Sequence, residues 1–132
     1  MDLGLGRIGQ IAMGAADIER SIAFYTNVLG LKLILRPQPG MAFFDCGGQS
    51  LLLEKPHDGQ AVRTGAVLYF NVPDLALSVR ELEGRGVTMK HKPHRIAQLP
   101  AYDLWMAFFE DPDGHMLALQ MTAPKGYEWP KG

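Results

Sequence analysis

Apolar and polar residues alternate along this chain in two periods, and the order of those periods repeats. Residues 7 to 13 alternate with period two. Gln10 and Ala12 fall on one side and Ile11 and Met13 on the other, the pattern of a strand. The spacing then changes to four, three and four at Ile18, Ile22, Tyr25 and Leu29, one apolar stripe of a helix. Asp17 stands where its carboxylate can accept from the free N–H groups of the first turn. Gly30 stands where a left-handed residue closes a helix. Leu31 to Arg36, Met41 to Cys46 and Ser50 to Glu54 are strand-like, separated by the turn sequences "PQPG" and "GGQ".

The same order recurs. Gly65 to Val72 reads as a strand, and Asp74 caps a helix carrying Leu75, Val79 and Leu82. "GRG" closes that helix. Val87 to Lys92, Leu104 to Glu110 and His115 to Met121 read as strands, with a proline-bearing loop over 93 to 103. "DPDG" (111 to 114) is a type I turn sequence. Gln10 precedes Asp17 by seven residues and Val67 precedes Asp74 by seven, so the repeat is 57 residues long (67 minus 10). Two copies at that length mean a duplicated half-domain rather than a solenoid. The predicted architecture is a single α+β domain of two tandem βαβββ modules. Module one spans about 7 to 56, a linker 57 to 64, module two 65 to 122, and a tail 123 to 132. The tail lacks periodicity, and is expected either loosely ordered or docked through Tyr127 and Trp129 on a partner subunit.

Composition narrows the function classes. The 132 residues suffice for one packed domain. A net charge of −1 with no block of like charges argues against nucleic-acid and membrane-surface partners. No apolar run is long enough to span a bilayer. The first ten residues lack the basic start and apolar core of a signal peptide, so a cytoplasmic location is expected. The lone Cys46 leaves no internal disulfide and suits a reducing compartment.

Two βαβββ modules, the helix "ERSIAFYTNVLG" and the close "AFFEDPDGHMLAL" resemble the vicinal oxygen chelate superfamily over roughly residues 7 to 122. That group includes glyoxalases, bleomycin-resistance proteins, fosfomycin-modifying enzymes and extradiol dioxygenases. The resemblance implies two sheets curled around a cleft with the helices outside, and commonly a homodimer. In metal-using relatives a His or Glu on the first and last strands of each module holds one divalent ion. The matching positions here are Gln10, Leu52, Val67 and Ala118. Three of those side chains carry no donor, so a site without the family's metal is expected and no cofactor is assigned. A weak alternative is a divalent metal held by Gln10 and Glu54, which lies two residues past Leu52 on the same face of its strand.

With Gln10, Leu52, Glu54, Val67, Tyr69 and Ala118 facing inward, the cleft is apolar with a few polar groups, as small-molecule pockets are. Alternation places Trp105, Ala107 and Phe109 on one face and Leu104, Met106 and Phe108 on the other, leaving open which face meets the cleft. Trp105 is a candidate ligand wall if its face is the inner one. His115 is expected on the outer face or at the turn, and His91 and His94 on no shared face. The leading function is binding of a small, largely apolar molecule without metal. One alternative is a metal-dependent lyase, isomerase or dioxygenase like lactoylglutathione lyase. Another is a metal-free enzyme with Glu54 as catalytic base, which needs its pKa raised by burial.

Overall fold

The structure, a computed structural model, describes residues 3–4, 6, 8–62 and 65–131. Arg7 of the predicted first strand and linker residues 63–64 lie outside the described residues. The chain forms two compact units, Met1–Thr64 and Gly65–Gly132.

In the first unit the elements run β1 (Gln10–Gly14), α1 (Ile18–Ala23), a π-helical turn (Phe24–Val28), β2 (Lys32–Leu35), β3 (Met41–Cys46) and β4 (Gln49–Glu54). The sheet order is β1-β4-β3-β2. β1 runs parallel to β4, and the other pairs are antiparallel. Asp17 caps α1 as its position predicts, accepting from the Arg20 N–H at 3.1 Å. Gly47 and Gly48, with φ of 59° and 94°, make the hairpin between β3 and β4. Two successive positive φ values are what a type I′ turn requires.

The first helix does not continue as a simple α-helix. Leu29 N–H donates to the Phe24 carbonyl, five residues back, at 3.0 Å. The Thr26 hydroxyl donates to the Ile22 carbonyl at 2.7 Å. Tyr25 is fully buried and its ring meets Phe44 at 5.8 Å. Met13, Ala42, Phe44, Leu51 and Leu53 are the buried face beneath α1. Gln10, Ala12, Phe43, Leu52 and Glu54 belong to the opposite face by alternation and register.

The second unit runs β5 (Leu68–Asn71), α2 (Leu75–Gly84), β6 (His91–Gln98), β7 (Asp103–Glu110) and β8 (Met116–Ala123). Its sheet order is β5-β8-β7-β6, with β5 and β8 parallel. The Asp74 carboxylate accepts from the Leu77 N–H at 3.1 Å. Leu75, Val79 and Leu82 are buried against a sheet face that includes the fully buried Phe109 and Leu117. Each such side chain contributes about 2 kcal/mol by leaving water.

β6 departs from the sequence expectation. The chain is a strand from His91 to Gln98, so the predicted loop over 93 to 103 shrinks to residues 99 to 102. Pro93 is tolerated because β6 is an edge strand, where a missing N–H need break no ladder bond. Register shifts between His91 and His94, and between Arg95 and Ala97, absorb the irregularity. Neither sheet closes on itself. No helix among the described residues is long and apolar enough to cross a membrane.

Candidate functional site

Register across the second sheet builds one row of side chains. Tyr69 on β5 is paired with Ala118 on β8, Ala118 with Phe108 on β7, and Phe108 with His91 on β6. Tyr69 and Phe108 are two strands apart, yet their ring centroids approach to 6.0 Å at 84°. They meet because Ala118 between them has only a methyl group. His91 adds a second edge-to-face contact with Phe108, at 5.7 Å and 88°. Edge-to-face pairs set a positive ring edge against a negative face and hold both rings in place. Tyr69 remains 46% exposed.

The next row is polar at one end. Asn71 pairs with Gln120, Gln120 with Met106, and Met106 with His94. The Gln120 amide donates to the Asn71 carbonyl oxygen at 2.7 Å. His94 Nδ1 donates to the Lys92 carbonyl at 2.8 Å. On the other side of the aromatic row, Lys90 and Glu110 form an ion pair at 3.3 Å. The open face of this sheet is therefore an aromatic strip bordered by an amide pair and a charged pair.

Trp105 is not on that face. It pairs with Met121, and the Met121 sulfur accepts from the Leu75 N–H at the start of α2, at 3.4 Å. Trp105 consequently lies on the helix-covered face, where Trp129 stacks on it. The tail packs on its own unit, with Tyr127 also meeting Trp105 edge-on. Lys125 adds a 2.6 Å bond to the buried Asp103 carboxylate.

In the first sheet, register separates two residues the sequence brings together. Gln10 pairs with Ser50, whereas Glu54 pairs with Gly14. Four residues along the strand is about 13 Å, so Gln10 and Glu54 form no shared metal site. Beside Glu54 is a cavity of about 30 Å³ lined in part by Gly14, His57 and Gln60. That volume suits a water rather than a substrate. Among the described residues no hydrogen bond or ion pair engages the Glu54 carboxylate.

A different set of donors gathers at the β7–β8 turn. One ligand atom each from Asp111, Asp113 and His115 lies within 4.8 Å of the others. Asp111 Oδ1 already accepts from the Asp113 N–H at 2.8 Å and the His115 N–H at 2.9 Å. His115 stands at the turn, as expected, and is 2% exposed. Two carboxylates and an imidazole could hold a divalent cation there. The same carboxylate also organises the turn.

The Glyoxalase/Bleomycin resistance protein/Dioxygenase superfamily model matches residues 7–119. The chain belongs to that superfamily. It is 29% identical over 113 residues to the metallothiol transferase FosB of Lysinibacillus sphaericus (strain C3-41), covering 82% of this chain and 77% of FosB. The lactoylglutathione lyase of Agrobacterium tumefaciens superposes with a TM-score of 0.72 at 26% identity, over 89% of this chain and 95% of that one. An integron cassette protein from the mobile metagenome of V. cholerae superposes at 0.74 with 24% identity, over 92% and 98%.

Superfamily membership implies a divalent ion, so the donor set matters. At the four ligand positions inferred from the resemblance, this glyoxalase-family chain has Gln10, Leu52, Val67 and Ala118. Leu52, Val67 and Ala118 offer only hydrocarbon, and Tyr69 and Phe108 meet beside Ala118. These residues do not fit the family's ion. Sequence reasoning left open whether the face of Phe108 meets the site, because the alternation of β7 defines two faces without saying which one a helix covers, and it did not pair His91 with Phe108, a matter of register between strands.

Proposed function

We propose that this superfamily member binds a small, flat, largely apolar molecule on the open face of its second sheet, without a divalent ion at the family's position. The observation that carries this reading is the approach of Tyr69 and Phe108 beside Ala118, at 6.0 Å. Ala118 stands at a position where the resemblance implies a ligand, and the two rings flank it. An aromatic strip favours a flat ligand by stacking or edge contact, worth about 0.5–1.5 kcal/mol per ring pair beyond burial. The neighbouring Asn71–Gln120 pair can orient a polar end of the ligand through amide groups. Catalysis by Glu54 has less support, because the space beside it is water-sized.

Native mass spectrometry of the purified protein tests this reading, before and after addition of zinc, nickel or manganese. A homodimer that takes up no ion at stoichiometric metal, and carries a co-purified organic molecule lost on Tyr69→Ala or Phe108→Ala, is the expected result. One tightly held ion per chain that survives Asp111→Ala would overturn the metal-free reading. An organic molecule retained by both ring variants would overturn the assigned face.

A further inference from the structure

A second site lies on the other side of the same sheet. A cavity of about 400 Å³ opens beside α2, within the size range of small-molecule pockets. Ala76, Val79, Arg80 and Glu83 of α2 line it, a spacing of three, four and seven from the first, so one face of the helix forms a wall. Ala76 and Val79 are nearly buried and supply an apolar floor. The tail also lines it through Trp129, whose indole is held by stacking on Trp105 at 5.4 Å.

The charge around this cavity is uneven. Arg80, Lys92 and Lys131 border it, against one carboxylate, Glu83. Among the described residues no ion pair or hydrogen bond engages the Arg80 guanidinium or the Lys92 and Lys131 ammonium groups. The chain as a whole is slightly negative, at −1, so this is a local feature. An aromatic wall, an apolar floor and three unpaired cations at the rim complement a planar ring that bears an anion. The ring has Trp129 to stack on, and the anion has a guanidinium and two ammonium groups to meet.

We infer that the cavity between α2, the start of β6 and the Trp129 tail binds a planar aromatic carboxylate or sulfonate. This site is separate from the aromatic strip, because Trp105 and Phe108, three residues apart, lie on opposite faces of β7.

The test uses the full chain and 2-naphthoate as probe. Binding is read by calorimetry and by the NMR signals of the two indole N–H groups. The expected result is saturable binding that moves the Trp129 signal. The neutral analogue 2-naphthylmethanol should bind at least about tenfold more weakly, as should 2-naphthoate to Arg80→Glu/Lys92→Glu, which changes only exposed residues. Trp129→Ala should abolish the binding. Equal affinity for the neutral analogue would overturn the inference. So would binding that ignores the charge reversal but is lost in Tyr69→Ala. An unmoved Trp129 signal at millimolar probe would overturn it as well.

Discussion

Trp129 lies nearly parallel to Trp105, with ring centroids 5.4 Å apart and planes 19° apart. Tyr127 meets the same Trp105 edge-on at 5.6 Å and 76°. One side chain on a central strand therefore fastens the tail that follows β8. Trp105 stands to lose more than either partner. Trp105→Ala should destabilise the protein by about 2–4 kcal/mol, through lost burial and two lost ring contacts. Trp129→Ala should cost about 1 kcal/mol. Urea unfolding midpoints at constant m measure both. Equal costs would mean the tail is held by something other than Trp105.

The Tyr127 phenol is pushed above its ordinary value by burial and then by the nearby Asp74 carboxylate. The docked tail thus favours the neutral phenol. Its contribution is complete below the ordinary tyrosine pKa and is lost as pH rises through the raised one. Tryptophan emission should therefore shift towards that of solvated indole as pH climbs past about 10. Tyr127→Phe should lack that transition. A transition unchanged in the variant would assign it to another group.

Phe108 and Phe109 are sequence neighbours with opposite tasks. Phe109 is fully buried under α2, whereas Phe108 faces the open strip with Tyr69 and His91. Phe109→Ala should cost about 3–5 kcal/mol of stability. Phe108→Ala should cost under about 2 kcal/mol while weakening apolar-ligand binding. Thermal melts and a binding titration on both variants separate the two roles.

Asp111 holds the β7–β8 turn by accepting two backbone N–H bonds through one oxygen. Asp111→Ala leaves both donors in search of water and should cost about 1–3 kcal/mol. EDTA should leave the wild-type melting temperature unchanged. A drop in EDTA that Asp111→Ala abolishes would instead assign a cation to Asp111, Asp113 and His115.

Much of the architecture follows from local chemistry. Asp17 and Asp74 are helix caps wherever the rest of the chain goes, because a carboxylate one residue before a helix finds free N–H groups. Gly47–Gly48 makes a tight hairpin for the same kind of reason. The π-helical turn was invisible, since a single wider turn near a helix end scarcely alters the apolar spacing. Pro93 reads as a loop signal, and only its place on an edge strand makes it compatible with β6.

The sequence alone determined the two modules, their caps and turns, and the hydrocarbon side chains at three of the four positions where the resemblance to the superfamily puts a metal ligand. These are properties of individual residues and short spacings. Only the tertiary structure decided that Tyr69 meets Phe108 beside Ala118, that Gln10 and Glu54 stay apart, and that Trp105 faces α2 and the tail. Those relationships depend on strand pairing and register between segments distant in sequence. Alternation tells two faces of a strand apart, but only the partners that pack on it tell which face is covered.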